Sequence, residues 1–358
     1  TIIQAATQAD TATTMVLRNF ADELTIEGIT IRYGKASGDV GGILNEGGAL
    51  LLASTTVTQN TGRGVYNTGS APLTIINSTI SNNTASSGGG IYDASGGTIT
   101  IATSTISGNT TNSSGGGIFY AGNGSLTISK TTIKDNKSSG GGGGGIFFSG
   151  GMSGSNDSLT IINSTLNSNQ ASSGGGGIYH SNNQPIILTN VTVSGNVTNW
   201  RGGGIYSAGG ALTLTNVTIT LNRSNNGGDG IYKSSGSPSS VSNSIIAANI
   251  NQDCGGSNLT SGGHNIIGTS VGCNFTKTTG DLVGSGIAPL DPRLGPLQDN
   301  GGPTFTHALL SGSLAIDSGD DSLATSTDQR GIKRPQGNSS DIGAYEFVPT
   351  VGIQRIWD

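Results

Sequence analysis

Apolar and polar residues alternate along this chain in short runs, none long enough to form an amphipathic helix. In LTIINSTI from Leu73, the residues Leu73, Ile75 and Ile80 share one face while Thr, Asn and Ser fill the gaps. The same register returns in LTIEGITI from Leu24, LLLASTTV from Leu50, TITIATSTI ending at Ile106, LTISKTTI from Leu126 and LTIINSTL from Leu159. It continues in IILTNVTV from Ile186, LTLTNVTI from Leu212 and a weaker SSVSNSII from Ser239, a spacing of about 27 residues. Alternation over four or five residues, rich in Ile, Val and Thr and bounded by Gly, Asn and Ser, predicts strands.

Each copy holds an L-x-I segment, a short T-I-S segment, then S-G-N, a Gly/Ser run and a third segment G-G-I-Y. The pattern predicts an all-β fold, a right-handed parallel β-helix (β-solenoid) with three short strands per coil of about 27 residues, followed by a small C-terminal module. Columns equivalent to Leu73, Ile75, Ile80 and Ile91 would bury against their copies above and below, which one coil cannot do alone. Nine coils at the strand spacing make a rod roughly 43 Å long.

Two columns are asparagine. One contains Asn60, Asn83, Asn109, Asn136, Asn169, Asn196, Asn222 and Asn249; the other contains Asn77, Asn163, Asn190, Asn216 and Asn243. Asparagine tolerates the left-handed backbone of a sharp turn, and its amide can pair with the amide of the next coil. Both columns therefore read as inward structural ladders, and N-x-S/T strings such as those at Asn163 and Asn190 as by-products of the repeat. The run SSGGGGGGIFFSGG from Ser138 to Gly151 has equivalents at Gly88, Gly115, Gly174, Gly202 and Gly228. Neither a helix start nor a Lys-Ser/Thr pair follows it, so it reads as a corner needing positive φ and close backbone approach, not a phosphate loop.

Glycine supplies 62 residues and charged residues only 10%, so periodicity alone separates this chain from low-complexity disorder. A net charge of −5 gives no basic stripe for nucleic acid. No run of about 18 apolar residues is present to span a bilayer. Thr1 begins no cleavable leader, which does not argue against export. Cys254 and Cys273 suit a disulfide in an oxidising compartment, with two buried free thiols as the alternative.

The repeats resemble polymorphic outer membrane protein-like and right-handed β-helix repeats of secreted bacterial proteins. The segment from Asp291, DPRLGPLQDNGGPTFTHALLSGSLAID, and TDQRGIKRPQGNSSDIGAYEF from Thr327 resemble the choice-of-anchor Q module that follows such repeats, as do the preceding GGHNIIG and the Cys254 and Cys273 segments. Leu314 departs from the proline common at that place. The resemblance implies an exported or surface-attached bacterial protein without assigning it a biochemical role. The expected organisation is an incomplete first coil over 1–23 that continues upstream, β-helix repeats over 24–251, cysteine-bearing terminal coils over 252–285 and the module over 286–358.

Chemistry is sparse. The acids of the repeats, Glu27, Asp39, Glu46, Asp93, Asp135, Asp157 and Asp229, never share a column in adjacent coils, whereas glycosidic acid/base work needs two carboxylates about 5 to 10 Å apart. No catalytic residue, cofactor or metal site is assigned. Lys130, Lys134 and Lys137 around Asp135 form the densest charged group, read as solvated surface or as a patch for an acidic sugar. Asp317, Asp320 and Asp321 lack calcium-loop spacing and read as a polar loop. His180, His264 and His307 suggest no Ser/His/Asp triad.

Two regular arrays remain. Tyr66, Tyr92, Phe119, Phe147, Tyr179, Tyr206 and Tyr232 follow the inward apolar residue of the third strand, either shielding one another or offering a glycan-stacking platform. The T-x-S/T pairs of the second strand, Thr56/Thr58, Thr79/Ser81, Thr105/Ser107, Thr192/Ser194 and Thr218/Thr220, have the look of an ice-binding lattice, but Arg32, Lys134 and Asn167 interrupt it. The functional expectation is an extracellular or cell-surface adhesin or structural rod engaging polysaccharide. The alternatives are a β-helix polysaccharide lyase or glycoside hydrolase, a fibre subunit self-assembling through open solenoid ends, and an ice-binding solenoid.

Overall fold

The computed structural model describes residues 1–94, 96–150 and 157–349, all without helix. Gly151 at the end of the long glycine run and residues 350–358 of the expected module lie outside the described residues.

The chain winds as a parallel β-solenoid of ten stacked turns, counted along the third-strand column Leu17, Ile43, Val65, Ile91, Ile118, Ile146, Ile178, Ile205, Ile231 and Cys254. First-strand residues stack in the predicted register, as Leu50 on Leu73 on Ile99 on Leu126 on Leu159. Second-strand residues do the same through Val57, Ile80, Ile106, Ile133 and Leu166. These columns point inward and are buried. Each large aliphatic chain so removed from water contributes about 1.5 to 3 kcal/mol, and a repeat supplies several, as at Leu73, Ile75, Ile80 and Ile91. The chain's first coil is built from Ile2–Gln4 and Leu17–Asn19, both paired in parallel with the coil above.

The first asparagine column is a continuous ladder. In each step from Asn60 to Asn249, both the backbone N–H and the side-chain NH₂ donate to Oδ1 of the next asparagine, at 2.8 to 3.1 Å. Asp253 ends the series, its Oδ1 accepting both bonds from Asn249 and its Oδ2 the N–H of Thr269. A second, hydroxyl ladder runs from Thr55 through Ser78, Ser104 and Thr131 to Ser164, each hydroxyl after Thr55 accepting the backbone N–H of its equivalent in the preceding coil. These series satisfy buried polar groups that would each cost about 1 to 3 kcal/mol unpaired.

The backbone corrects the reading of these turns. Positive φ falls not on the ladder asparagines but on the residue before each: Gln59, Asn82, Asp135, Ser168, Leu221 and Ala248 among them. Asn82 and Asp135 suit that geometry, but at Gln59, Ser168, Leu221 and Ala248 the corner imposes it on residues with no preference for it, because the ladder bonds on the following residue fix the turn. The second asparagine column does hold positive φ, between 47° and 53° at Asn77, Asn163, Asn190, Asn216 and Asn243. Its amides are not laddered to one another; they face away from the solenoid core, and beyond Asn163 they meet the C-terminal segment.

The glycine run has a steric cause. Gly115 has φ +71°, while a Cβ on Gly117 would come within 2.6 Å of the Gly145 carbonyl and 3.1 Å of the Asn136 amide. The last glycine of the run thus lies against the ladder of the next coil, and the first makes the turn.

Past the final coil strand Leu282–Val283, the chain folds back along the solenoid. Among the described residues, its strands there are the antiparallel pair Leu294–Gln298 and Thr306–Leu309. A small apolar cluster, Ile245, Ala247 and Ile266 from the coils with Leu309, Ala315 and Ile342 from the returning chain, joins the two parts.

Candidate functional site

The returning chain lies on the outer face of the second strands. Thr165 Oγ1 donates to the Phe305 carbonyl at 2.6 Å, and Thr192 Oγ1 donates to Gln329 Oε1 at 2.7 Å. Gln329 Nε2 donates back to Thr165 and to Thr304, and the Ala344 N–H donates to Thr218 Oγ1. Asn190, Asn216 and Asn243, left-handed corners of successive coils, bind Thr325, Thr327 and Asp320. Here the T-x-S/T array is buried, whereas Thr56, Thr79, Thr105 and Thr132 remain partly exposed. The array therefore has an open half and a covered half.

Where they meet is a cleft of about 300 Å³ lined by Thr105, Thr132, Lys134, Asp135, Asn167 and Phe305. Phe305 presents half its surface to solvent at the leading edge of the module. Lys134 Nζ and Asp135 Oδ2 are 3.9 Å apart and both largely solvated, so the pair contributes little stability. Of the lysine group read from the sequence, only Lys134 enters this cleft. Lys130 occupies a left-handed corner and Lys137 lies beyond the Asn136 turn in the other sheet, so the three do not form one patch.

The aromatic column is a stack. From Tyr92 to Tyr232 the ring centres are 4.7 to 5.8 Å apart and the planes within 18°; Tyr66 meets Tyr92 edge-on at 5.2 Å. Interior rings spend both faces on their neighbours, which leaves edges for solvent. A sugar stacks on a ring face, so the column as folded is no platform for one. Arg63 lies 4.4 Å and 4.2 Å from the centres of Tyr66 and Tyr92, and Arg201 lies 4.6 Å from Tyr232 and 5.0 Å from Trp200.

The titratable groups are mostly structural. Cys254 and Cys273 are joined by a disulfide with Cα atoms 4.8 Å apart. Asp317 and Asp321 accept backbone N–H groups from 338–340, and Asp320 accepts from Ser322, so each carboxylate staples loop backbone. His180 is buried between Ser207 and Asn182, and burial pushes its pKa down to about 4. Lys233, also buried, donates to the carbonyls of Gly209, Gly210 and Ser235; burial lowers its pKa while the three acceptors favour the ammonium. Burial pushes the Asp341 carboxyl up to about 7, against bonds from the Phe347 and Asp317 N–H groups that favour the anion.

One contact has no counterpart in the sequence reading. Ser194 Oγ and His307 Nε2 are 2.9 Å apart, and His307 Nδ1 is 2.7 Å from the Gly295 carbonyl. That carbonyl accepts only from Nδ1–H, so Nε2 takes the serine proton. Both side chains are buried under the module and no reactant reaches the hydroxyl, which makes the pair a docking contact. Phe305 and Gln329 were equally hidden, since neither recurs with the repeat.

Residues 15–190 match the family described as "Right handed beta helix region". No curated protein sequence matches the chain. Among solved structures, the crystal structure of pectate lyase Pel9A is similar at 14% identity and a TM-score of 0.49, over 96% of this chain and 87% of the other. A likeness at that level carries no information on substrate or activity. The stacked parallel coils, with the family match over residues 15–190, give this chain the fold of a right-handed parallel β-helix.

Proposed function

We propose that this protein is an exported, surface-displayed β-helix scaffold that holds polysaccharide against the open half of its second-strand face. The observation that carries this reading is the cleft at the leading edge of the module. It combines a half-exposed Phe305 ring, the Lys134 ammonium, the Asn167 amide and the hydroxyls of Thr105 and Thr132. An aromatic face for the C–H side of a sugar, flanked by a few convergent polar groups, is the usual make-up of a carbohydrate subsite. The partly exposed threonines of the preceding coils extend it along the rod axis. The sequence resemblance to the choice-of-anchor Q module and to bacterial outer-surface repeats supports export and display, as does the disulfide.

A glycan array with the wild type, Phe305→Ala and Lys134→Ala tests it. Binding that weakens about tenfold or more in Phe305→Ala is expected. Glycan binding indifferent to both substitutions removes the cleft from the function. Chain cleavage by the wild type, abolished in Lys134→Ala, would replace the scaffold reading with the lyase one.

A further inference from the structure

The two ends of the aromatic stack are built alike and finished differently. At one end Arg63 is stacked on Tyr66 and Tyr92, and its donors are used: Nη2 lies 3.6 Å from the Asp39 carboxylate, Nε donates to the Ser87 carbonyl and Nη1 to that of Gly38. At the other end Arg201 is held between Trp200 and Tyr232 in the same manner. Among the described residues it has no ion pair or hydrogen-bond acceptor, and its Nε is buried without a partner. Asp229, in the adjoining glycine-rich loop, cannot serve, because its oxygens accept from Ser224, Asn251 and Gln252.

A guanidinium fixed between two rings has lost most of its rotamer freedom, and its planar fork matches a carboxylate in bidentate geometry. Trp200 is nearly half exposed beside it. The loop carrying both is tied down by bonds from Trp200 N–H to Thr198, Gly175 N–H to the Arg201 carbonyl and Asn226 N–H to the Trp200 carbonyl. The site is therefore pre-formed: with Nε buried, the terminal Nη pair is the fork left without a partner, next to a half-exposed indole.

We propose that Arg201 and Trp200 form a recognition site for an acidic sugar: the carboxylate of a uronic acid residue takes the position that Asp39 fills at Arg63, and its ring lies on Trp200. This site is on the third-strand side of the coils and is independent of the cleft at Lys134.

The test is calorimetric titration of the whole chain with a uronic acid oligosaccharide, its carboxyl-reduced neutral counterpart and an aspartate-rich peptide of equal charge. Binding of the acidic oligosaccharide alone is expected, weakening at least tenfold in Arg201→Lys and in Trp200→Ala and unchanged in Lys277→Ala, an exposed lysine outside both sites. Arg201→Lys keeps the charge and the stem, so the fold is retained and a loss reports the fork. Equal binding of the neutral sugar, preference for the peptide, full affinity in Arg201→Lys, or no binding at all each overturns the proposal. Loss in Lys134→Ala with Arg201→Lys unaffected would place uronate binding in the cleft instead.

Discussion

Thr105 and Thr192 occupy equivalent positions three coils apart, in similar local sequence, yet one is partly open to solvent and the other is sealed beneath residues more than a hundred positions away. The contrast shows how little a repeat's local pattern says about its surface. Burial of the inward columns is set by the coil itself, so every copy behaves alike. The fate of the outward face is set by where the returning chain lands.

Substituting the two faces should break the symmetry most strongly. Thr192→Lys places an ammonium where Gln329 packs, and a loss of about 3 kcal/mol is expected from the urea midpoint, with the module becoming protease-sensitive. Thr79→Lys on the open half should stay within about 0.5 kcal/mol. Equal losses would mean that the module does not cover the face.

The ladder should ignore the division. Asn83→Ala and Asn196→Ala, one in each half, each strip paired bonds from a buried column and should cost about 2 kcal/mol. Unequal costs would show that module docking tightens the interior as well as the surface.

The left-handed corners offer a finer contrast. Asn77→Ala gives up a residue suited to positive φ and one exposed bond to Ser54, a cost of about 1 kcal/mol. Asn243→Ala gives up the same conformation and two bonds with Asp320 as well, adding about 1 kcal/mol or more. Chemical denaturation of the pair reads the difference directly.

The smallest effect is pH dependence. Burial lowers the pKa of His307 in the docked state, so the undocked form binds a proton more readily and docking weakens as pH falls below about 6.5. Asp341 acts with the opposite sign: its raised carboxyl pKa, about 7, means that acidification from neutral favours the folded module. The wild-type minus His307→Gln difference in module amide protection, followed from pH 7.5 to 5, isolates the histidine. A difference that is flat or grows on acidification refutes the assignment.

How much was legible in the sequence follows from the same contrast. The columns through Leu73, Ile75, Ile80 and Ile91, the Asn60 to Asn249 ladder and the role of the glycine corner all repeat, and repetition turns weak local signals into a register. The second asparagine column misled because its residues look like the ladder, yet they sit on the outside of the turn. The left-handed residues Leu221 and Ala248 were invisible, since nothing in those side chains asks for positive φ. Phe305, Gln329 and His307 occur once each in an aperiodic segment, so their contacts were not available from spacing. Lys134 was singled out as one of three charges, and only the fold separates it from Lys130 and Lys137. The unpaired state of Arg201 likewise depends on which carboxylates the loops have already consumed.

The amide ladder also has a direction. All its side-chain dipoles point the same way, with each NH₂ toward the C-terminal coil, so their partial charges cancel along the column and survive only at its ends. The positive end is met by a single formal negative charge, Asp253, one residue before the disulfide. The interior of the rod is thus an aligned electrostatic column with a built-in terminator. A coil inserted before Asp253 extends the column, whereas the Asp253 carboxylate has no amide hydrogen to pass on, which gives the ladder a defined end although coil strands continue to Val283.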